Sequence, residues 1–520
     1  MKNRPNILIL ECDQMQAKRM GFVDGIAHTP NLDALAAEGI YFPNAITVQG
    51  QCVPSRCAFM TGMSPHECNV MVNYPFHDHC GHLTTRNRTF IQKFQSNGYT
   101  SAHFGKSHLG FPLRLLGFDV GECIDGRFPE GKEPIERIRA REEGLKNGGD
   151  GHADSSGNKS IHYKALDEGI PWLETYDPDE GPLLYMFDTN LPHPPFYYEK
   201  EWENRFRPED MILPTSYYEE TWEGKPPFLK EHCASGPHAL TSEQQLREEM
   251  ARYYTMIAET DRACGQIIDI FKRKGMWDNT IVLFFTDHGD MMGGHRLRRK
   301  GTMPYEELYN IPCIMKLPKG MGAKRQVVDD LIISTDLGGA LLELAGLDAP
   351  GAFAGSDVVR ALQRESAPED EHVFFEHYAA WYGIHPFYGV RTKTMKYVRW
   401  YGKEQFEELY DLATDPHELH NVVKDAAYRD AYTKLCGMAD NWWKETGGRD
   451  LAYYESDAFK ANLNRISSPG GVRGYFFRSL GRQAVEALPN ALATPMPHRQ
   501  PNRHGYAPGT PRLPKRLPTS

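Results

Sequence analysis

Residues 280–290 read TIVLFFTDHGD, in which seven residues typical of a buried β-strand are followed at once by polar side chains. The apolar run does not alternate with polar residues, which is the pattern of a parallel strand covered by helices on both faces. In open α/β sheets, ligands gather at the carboxyl ends of the strands. The stretch therefore predicts an α/β sheet with a polar site at Asp287 and His288.

Other segments repeat this arrangement along the chain. The apolar runs of NILILECDQ (6–14) and SAHFGKSHLG (101–110) also end in polar residues, and GPLLYMFDT (181–189) is a further buried strand. Stretches with apolar residues at helical spacing lie between the strands, among them residues 249–275. This alternation predicts a large, mostly parallel mixed sheet between helices.

Changes of composition and residue pattern along the chain predict three structural units. Residues 1–370 form the main unit, which carries the polar strand ends, and 371–460 combine the alternation of antiparallel strands with a helix. Residues 461–520 are rich in Pro, Arg and Gly, and form either a solvated tail or an arm onto a neighbouring subunit of a homo-oligomer. Within the first unit, the Gly-, Pro- and charge-rich residues 151–180 and 200–245 are expected to loop over the sheet.

Composition bounds the class of protein. The chain has 520 residues, 40% of them hydrophobic, and a net charge of -10, which indicates a soluble globular protein and speaks against a whole-chain nucleic-acid binder. We expect no membrane association, because no segment approaches the roughly 20 apolar residues of a span. The N-terminus lacks a signal-peptide core, and the ten cysteines lack paired spacings. These features lead us to expect a cytoplasmic protein.

The polar residues at the strand ends indicate a common site when they are considered together. Asp13 with Gln14, and Asp287 with His288, offer oxygen and imidazole ligands suited to Ca²⁺, Mg²⁺ or Mn²⁺, although either pair alone is as well explained by a turn or a cap. Other cationic or proton-carrying side chains occur near strand ends: Lys106, His108, His193, His295 and Lys300. The combination predicts a site for an anion held against a metal.

Residues 50–62, GQCVPSRCAFMTG, make this prediction specific. CVPSR followed by Thr-Gly resembles the signature of the type I sulfatases, in which the cysteine is oxidised after translation to formylglycine. Further similar segments follow in the family's order: TPNLDALAAEG, GKSHLG, PHPPF, TDHGD with GGHRLRRK, and ELYDLATDPHE. The resemblance covers residues 4–440 and implies an alkaline-phosphatase-like fold, with a formylglycine-generating enzyme as maturation partner.

The resemblance also implies a role for each matching residue. Asp13, Gln14, Asp287 and His288 would bind one divalent cation together with the oxidised Cys52. Arg56 would hold the formylglycine, and Lys106, His193 and Lys300 would contact the sulfate. Asn73 falls at the position of another substrate contact, and His108 matches the histidine beside the formylglycine hydrate.

The implied reaction is hydrolysis of a sulfate monoester to an alcohol and inorganic sulfate. A hydroxyl of the formylglycine hydrate, deprotonated by Asp287, would attack sulfur, and His193 beside Lys300 would protonate the departing alcohol. His108 would then take a proton from the second hydroxyl and expel sulfate. A Cys52→Ser variant, which lacks that second hydroxyl, should form a sulfo-enzyme and fail to turn over.

Two departures from the commonest pattern leave a rival reading. Gln14 replaces a second Asp and His288 replaces Asn of some members, so we expect Ca²⁺ with Mn²⁺ as an alternative. Phosphonate monoester hydrolases of the same superfamily share these pairs, but they resemble GKSHLG less, and a sulfatase is therefore favoured. An inactive scaffold protein is a third reading, which the retained site residues disfavour.

The substrate is left open between sulfated carbohydrate, aryl and alkyl esters. Arg296, Arg298 and Arg299 beside the site could hold an additional anionic group of a sulfated sugar. They could equally form a solvated strand end or a subunit contact. The aromatic-rich segments FYYEKEW and HYAAWYGIHPFYG could stack on a sugar or aryl ring, although core packing is the commoner use of such residues.

Overall fold

The structure is a computed structural model that describes residues 4–73, 81, 83, 86–109, 113–123, 161–194, 196, 198–202, 204–234, 242–353, 355–380, 383–403 and 405–462. Thirteen strands occur in these ranges: β1 Asn6–Asp13, β2 Ile40–Tyr41, β3 Ala45–Ile46, β4 Thr100–Gly105, β5 Val120–Cys123, β6 Leu183–Pro192, β7 Thr280–Thr286, β8 Cys313–Lys316, β9 Ile332–Ile333, β10 His372–Ala380, β11 Gly383–Thr392, β12 Met395–Tyr401 and β13 Gln405–Asp411.

The α-helices of the same ranges vary from one turn to 31 residues. They are α1 Gly21–Asp24, α2 Pro30–Glu38, α3 Cys52–Thr61, α4 Pro65–Cys68, α5 Phe90–Gln95, α6 Leu113–Leu116, α7 Ile161–Thr175, α8 Thr215–Glu219, α9 Pro227–Ala234, α10 Glu243–Arg273, α11 Glu306–Tyr309, α12 Ser334–Leu344, α13 Asp357–Gln363, α14 Arg429–Glu445, α15 Leu451–Glu455 and α16 Asp457–Asn462.

A seven-stranded sheet forms the centre of the molecule, in the order β2-β8-β7-β1-β6-β4-β5. β7, β1, β6, β4 and β5 run parallel, while β8 pairs antiparallel with both β7 and β2. Every residue of β1, β6 and β7 is buried, which explains why their apolar runs lack alternation. The predicted fold class, a mostly parallel mixed sheet between helices, is confirmed.

Helices cover both faces of this sheet because successive strand residues point to opposite sides. Ile7 and Ile9 of β1 pack into a core with α3, α5 and α12. Leu8 and Leu10 face the other way into a core that includes α2 and the long helix α10. The central strands are therefore shielded from water on both sides, and their carboxyl ends are the part of the sheet left for polar chemistry.

A second sheet of four antiparallel strands, β10 to β13, lies towards the C-terminus with α14 packed against it. Trp442 of α14 stacks on Phe374 of β10 with ring centroids 4.9 Å apart. His66 and Glu376 link this sheet to α4 of the first unit through a buried hydrogen bond. The small antiparallel sheet with a helix, predicted for residues 371–460, is thus present in the fold.

The expectation that residues 151–180 and 200–245 loop over the sheet was wrong in part, because the second range contains the short helices α8 and α9 and the first contains a longer helix. Residues 161–175, placed in a loop by their composition, form the 15-residue helix α7 with Pro171 inside it. Ile161, Ala165 and Leu173 are buried at spacings of four residues or a multiple of four, and α7 packs against β4 and β6. Charged residues between these positions concealed the apolar face, so composition misled where periodicity would not have.

Two further observations bear on the sequence predictions. The tail predicted for 461–520 lies outside the described residues, apart from Ala461 and Asn462, which end α16. Among the helices that the structure describes, none combines the length and apolar character needed to cross a membrane.

Candidate active site

The register of the central sheet brings the predicted strand-end residues to one edge. Cys12 of β1 pairs with Thr286 of β7, so Asp13 and Asp287 follow at the same level. On the other side of β1, Asp13 pairs with Pro192 of β6, and His193 is the next residue. Parallel strands end at the same edge of a sheet, and three separate segments therefore deliver their polar residues to one place.

Cys52 enters this edge as the first residue of α3. Its N-cap, Gln51, makes no side-chain capping bond. Instead, the Asn73 side-chain oxygen accepts the Val53 backbone N–H at 2.9 Å, which satisfies one of the otherwise unpaired donors of the first turn. All ten residues of α3 are buried, and Ser55 donates to the Asp287 carbonyl oxygen at 2.6 Å. The helix start is thereby attached to the end of β7.

Four buried side chains form a compact donor group around this point. The ligand atoms of Asp13, Cys52, Asp287 and His288 all lie within 4.8 Å of one another. The Cys52 sulfur is 3.6 Å from Asp13 Oδ1 and 3.4 Å from His288 Nε2. Four of the five residues expected to bind the cation are therefore adjacent.

Two lysines enter the same group. Lys300 Nζ lies 2.6 Å from the Cys52 sulfur and 3.0 Å from His288 Nε2, and it is 4.0 Å from Asp13 Oδ1. Lys106 pairs with the other Asp13 oxygen. Both lysines are buried, and buried ammonium groups require paired negative charge. They supply positive charge beside the residue predicted to be the nucleophile.

Arg56, one turn along α3 from Cys52, forms the centre of a buried carboxylate network. It contacts Asp287 at 2.8 Å through Nε, Glu11 at 3.1 Å through Nη1, and Asp188. Burial alone would lower the pKa of Arg56, but these three carboxylates raise it, so the guanidinium stays charged. Arg56 therefore stabilises the site by binding Asp287. In the described structure it is not hydrogen-bonded to the Cys52 sulfur.

The carboxylates around Arg56 differ in their pKa values. Burial raises the pKa of Asp188 to about 7 and raises that of Glu11, with Arg56 opposing both shifts. Burial would also raise the pKa of Asp287, but the positive charges of Arg56, Lys106 and Lys300 hold it below the usual range. Its Oδ1 also accepts the backbone N–H groups of Gln14 and His288, at 3.0 and 2.9 Å. Asp287 is therefore the carboxylate that stays charged.

His288 is held as a neutral donor to the group. Its Nδ1 donates to the Gly289 carbonyl oxygen at 2.7 Å, which leaves the Nε2 lone pair directed at Cys52 and Asp13. Burial lowers the pKa of His288 to about 3. A neutral imidazole with its other nitrogen bound to a carbonyl is the form in which histidine binds metals.

Gln14 completes the donor set by a less direct route. Its amide nitrogen bonds to Asp290, and its side-chain oxygen, although buried, receives no hydrogen bond from the described part of the chain. Two carboxylates, an amide oxygen and an imidazole fit a hard or borderline divalent cation. The residues therefore match the cation that the sequence implied.

The remaining predicted residues lie at the same edge. His193 follows β6 directly, and its Nδ1 bonds to the Pro194 carbonyl oxygen. His108 is the third residue after β4, half-buried and with a φ of 49°. Asn73 is buried, and its recorded bond is to the backbone of α3. Strand topology places His193 and His108 at this edge of the sheet, and Asn73 contacts the first turn of α3 directly.

The arginine-rich segment that contains Arg296, Arg298 and Arg299 is bound to neighbouring residues of the fold. Arg298 and Arg299 are buried and pair with Glu249 of α10, and the Arg299 backbone N–H donates to Asp290 at 3.0 Å. Arg296 donates to the Tyr217 carbonyl oxygen at 2.9 Å. His295 lies with Glu220 and Lys225. These contacts disfavour a solvated strand end.

Sequence reasoning missed three buried carboxylates of the site. Glu11 and Asp188 flank Arg56 on the adjacent strands β1 and β6, where their backbone positions are paired in register. Asp290 holds the side chain of Gln14. A charged residue within an otherwise apolar strand was visible at both strand positions, and it signals a buried ion pair.

An α/β sheet with a metal-type donor set, buried cations and a cysteine at a helix N-terminus defines a hydrolase site for an anionic ester. Comparison with known proteins names the family: the sulfatase family model matches residues 5–347, and the chain belongs to that family. It is therefore a sulfuric ester hydrolase. A second model, N-sulphoglucosamine sulphohydrolase, C-terminal, matches residues 293–441.

Individual proteins agree with this assignment. An arylsulfatase of Clostridium perfringens is 27% identical, over 87% of this chain and 97% of its own. A structure in complex with its substrate D-glucosamine-2-N,6-O-disulfate matches with a TM-score of 0.71 and 21% identity, covering 85% of this chain and 98% of that one. The phosphonate monoester hydrolase of Agrobacterium radiobacter matches with a TM-score of 0.68 and 23% identity, covering 86% and 97%. Both structures share the alkaline-phosphatase-like fold.

Proposed function

We propose that this chain hydrolyses sulfate monoesters of carbohydrates, using a formylglycine derived from Cys52. The observation that carries the proposal is the position of Cys52, whose sulfur contacts Lys300 and His288 within the Asp13 and Asp287 group. A buried cysteine with no other role could be placed anywhere in the core. Cys52 instead lies at a helix start, among the carboxylates, the imidazole and the ammonium group that sulfate-ester hydrolysis needs.

The cofactors follow from the donor set and from the CVPSR motif. Asp13, Gln14, Asp287 and His288 would hold one divalent cation, Ca²⁺ first and Mn²⁺ as the alternative, which would polarise oxygens of the nucleophile and of the sulfate. Formylglycine supplies a hydrated aldehyde, and hence two hydroxyl groups, where cysteine has one thiol. Because Cys52 is buried in the fold, the formylglycine-generating enzyme would act on the chain before it folds.

The chain's own residues can then be given tasks. Asp287, kept charged by its cationic neighbours, can accept the proton of a hydroxyl at position 52. Lys300 and Lys106 would stabilise the negative charge on the sulfate oxygens in the transition state. His193 is our candidate for donating a proton to the departing alcohol, and His108 for accepting one when sulfate leaves.

We favour a carbohydrate substrate because aromatic side chains lie in the part of the fold that adjoins the Lys300 segment. The end of β10 approaches this segment, since His377 Nε2 lies 3.2 Å from Thr302 Oγ1 and a Cβ on Gly301 would come within 2.8 Å of Ala380. From the neighbouring strand β11, half-buried His385 stacks on Phe228 with ring centroids 4.0 Å apart. A half-buried ring such as His385 can stack on a sugar ring. The relative that was solved with a sulfated glucosamine supports the same class.

Phosphonate monoester hydrolysis is the second candidate. The observation in its favour is the similarity of fold to the Agrobacterium radiobacter enzyme. A charged sulfate or phosphonate group would meet the same lysines, so weak cleavage of phosphonates is compatible with a sulfatase. An inactive scaffold protein would have to keep these buried charges without a catalytic use for them. Burying charged groups costs free energy, and this reading is therefore disfavoured.

The test is a comparison of substrates with protein co-produced with a formylglycine-generating enzyme. We expect kcat/KM for a glucosamine sulfate to exceed that for an aryl phosphonate monoester by at least about tenfold, which is 1.4 kcal/mol of transition-state binding. A Cys52→Ala variant prepared in parallel is the control and should cleave neither. Preference for the phosphonate would overturn the sulfatase proposal, and no turnover by converted protein would favour the scaffold reading.

A further inference from the structure

A second group of metal-binding side chains lies apart from the Cys52 site. His295 is in the turn that precedes Lys300, Glu307 is in α11, and Glu418 follows β13. Their ligand atoms all lie within 4.8 Å of one another, and His295 Nε2 is 4.0 Å from Glu307 Oε2. We call these three residues the His295 group. It joins the loop that carries Lys300 to the C-terminal part of the fold.

The orientation of His295 is fixed by its surroundings. Its Nδ1 lies 2.5 Å from Glu220 Oε2 and 3.0 Å from Lys225 Nζ, and the shorter contact, to a carboxylate that only accepts, places the proton on Nδ1. The ring also stacks on Tyr305, with centroids 3.9 Å apart. The Nε2 lone pair therefore lies on the side of Glu307, with Nε2 4.0 Å from Glu307 Oε2. This carboxylate–histidine arrangement is the one that accompanies metal-bound histidines.

No described residue gives a hydrogen bond to His295 Nε2, although the side chain is completely buried. A buried acceptor next to two carboxylates has nothing to bind except a proton or a cation. The site is thus built to receive positive charge.

The charged side chains around the His295 group include more carboxylates than cations. Lys225 bonds to Glu220 and to the Glu418 carbonyl oxygen, both at 2.7 Å. Lys396 reaches Glu306 at 3.2 Å and Glu418 at 2.8 Å. The described carboxylates that interact here are Glu220, Glu306, Glu307, Glu408 and Glu418, and the cations are Lys225, Arg391 and Lys396. Carboxylates therefore outnumber cations around the group by five to three, an imbalance that favours the binding of a cation.

We propose that His295, Glu307 and Glu418 bind a second divalent cation, distinct from the one at the Cys52 site. One imidazole and two carboxylates suit Zn²⁺ or Mn²⁺. Ligand distances of about 2.0 to 2.2 Å require the three donor atoms to close on one another, which a rotamer change of the partly exposed Glu307 allows. The cation would hold the turn before Lys300 and thus position that lysine, without contact to the reacting atoms.

Metal counting on the full chain tests this proposal. Protein stripped with a chelator and re-equilibrated with ZnCl₂ or MnCl₂ should bind two metal ions per chain, measured by inductively coupled plasma mass spectrometry. Glu307→Gln and Glu418→Gln should each bind one and lose at least tenfold in affinity for the other. Asp287→Asn should lose the ion of the Cys52 site instead, and Glu219→Gln, at an exposed position, should bind two.

A second measurement uses only the wild-type chain, so its result does not depend on whether the variants fold. Zinc anomalous scattering from crystals of the wild-type chain should place an ion beside His295. One ion per chain in the wild type, or unchanged stoichiometry in both Glu variants, would overturn the proposal. Either result would mean that a proton on Glu418 or His295 balances the group instead. Sulfatase activity does not enter this test, so its outcome is separate from that of the proposed function.

Discussion

The ammonium group of Lys300 lies 2.6 Å from the sulfur of Cys52, although the two residues are 248 positions apart in the chain. Lys300 also contacts His288 Nε2 at 3.0 Å, and both partners are buried. A cation at this distance from the reacting residue acts on charge that develops during the reaction. The contact thus connects the CVPSR motif with the GGHRLRRK segment.

Replacing Lys300 by Met should remove this electrostatic stabilisation while keeping much of the side-chain volume. We expect kcat/KM for a sulfate ester to fall by about 100-fold or more. Lys319→Met is the matched control, because the Lys319 side chain is 81% exposed and pairs with Asp278, which is 70% exposed. Formylglycine content should be measured for each protein. Activity of Lys300→Met within about threefold of wild type, at equal conversion, would show that the contact has no catalytic role.

Asn73 distinguishes a structural from a substrate-binding role. Its side-chain oxygen accepts the Val53 N–H, so Asn73→Ala should destabilise the fold by about 1 kcal/mol, measured by urea unfolding. Asn73→Asp keeps the acceptor and should recover most of this loss. If Asn73→Ala instead raised KM without any change in stability, the direct substrate contact implied by the family resemblance would be correct.

Gly105 ends β4 directly before Lys106, and no larger residue fits there. Its φ is 123°, and a Cβ would lie 1.9 Å from the Asp188 carbonyl oxygen. That same oxygen accepts the Lys106 N–H at 2.8 Å. Gly105→Ala should therefore lower stability by about 3 kcal/mol and displace Lys106. Gly322→Ala, where a Cβ meets nothing within 4 Å, should change stability by less than about 0.5 kcal/mol. Equal effects at the two glycines would contradict the close approach of β4 and β6.

His162 predicts a pH dependence of stability away from the active site. Burial lowers its pKa from 6.5 to about 3, so the folded chain keeps it neutral where the unfolded chain takes a proton. Its contribution is fully present above pH 6.5, and the free energy of unfolding should fall by about 1.4 kcal/mol per pH unit as the pH drops towards about 3.

The readout for His162 is a difference between two proteins, because carboxylates titrate in the same range. Urea unfolding from pH 7 to pH 4 should give a steeper loss of stability for the wild type than for His162→Gln. Gln retains a polar group to face Thr189, whose hydroxyl lies 2.7 Å from His162 Nδ1. Parallel pH profiles for the two proteins would show that His162 does not remain neutral in the fold.

The fold was predictable from sequence because its central strands are buried on both faces. Their apolar runs, as in residues 280–286, stand out from the rest of the chain, and each ends where the polar chemistry begins. Helix α7 was missed because charged residues interrupt its buried positions. The sequence could not show how strand register pairs Glu11 with Asp188, since that depends on long-range pairing.

The candidate site was partly predictable for a related reason. Motif order brought Asp13, Cys52, Asp287 and His288 into one hypothesis, and the structure gathers these four. The contacts of Arg56 with three carboxylates, and the burial of Arg298 and Arg299 against Glu249, depend on side-chain packing between distant segments. Sequence spacing carries no information about such packing. The His295 group, assembled from three segments, belongs to the same category.

The most direct test of the account is to measure turnover against the extent of Cys52 conversion. Preparations with different amounts of formylglycine-generating enzyme would be analysed by peptide mass spectrometry for aldehyde at position 52 and assayed on one sulfated sugar. The account predicts that kcat per chain rises in proportion to the converted fraction and extrapolates to zero without conversion. Turnover that is independent of conversion would contradict the assignment of Cys52 as the precursor of the nucleophile.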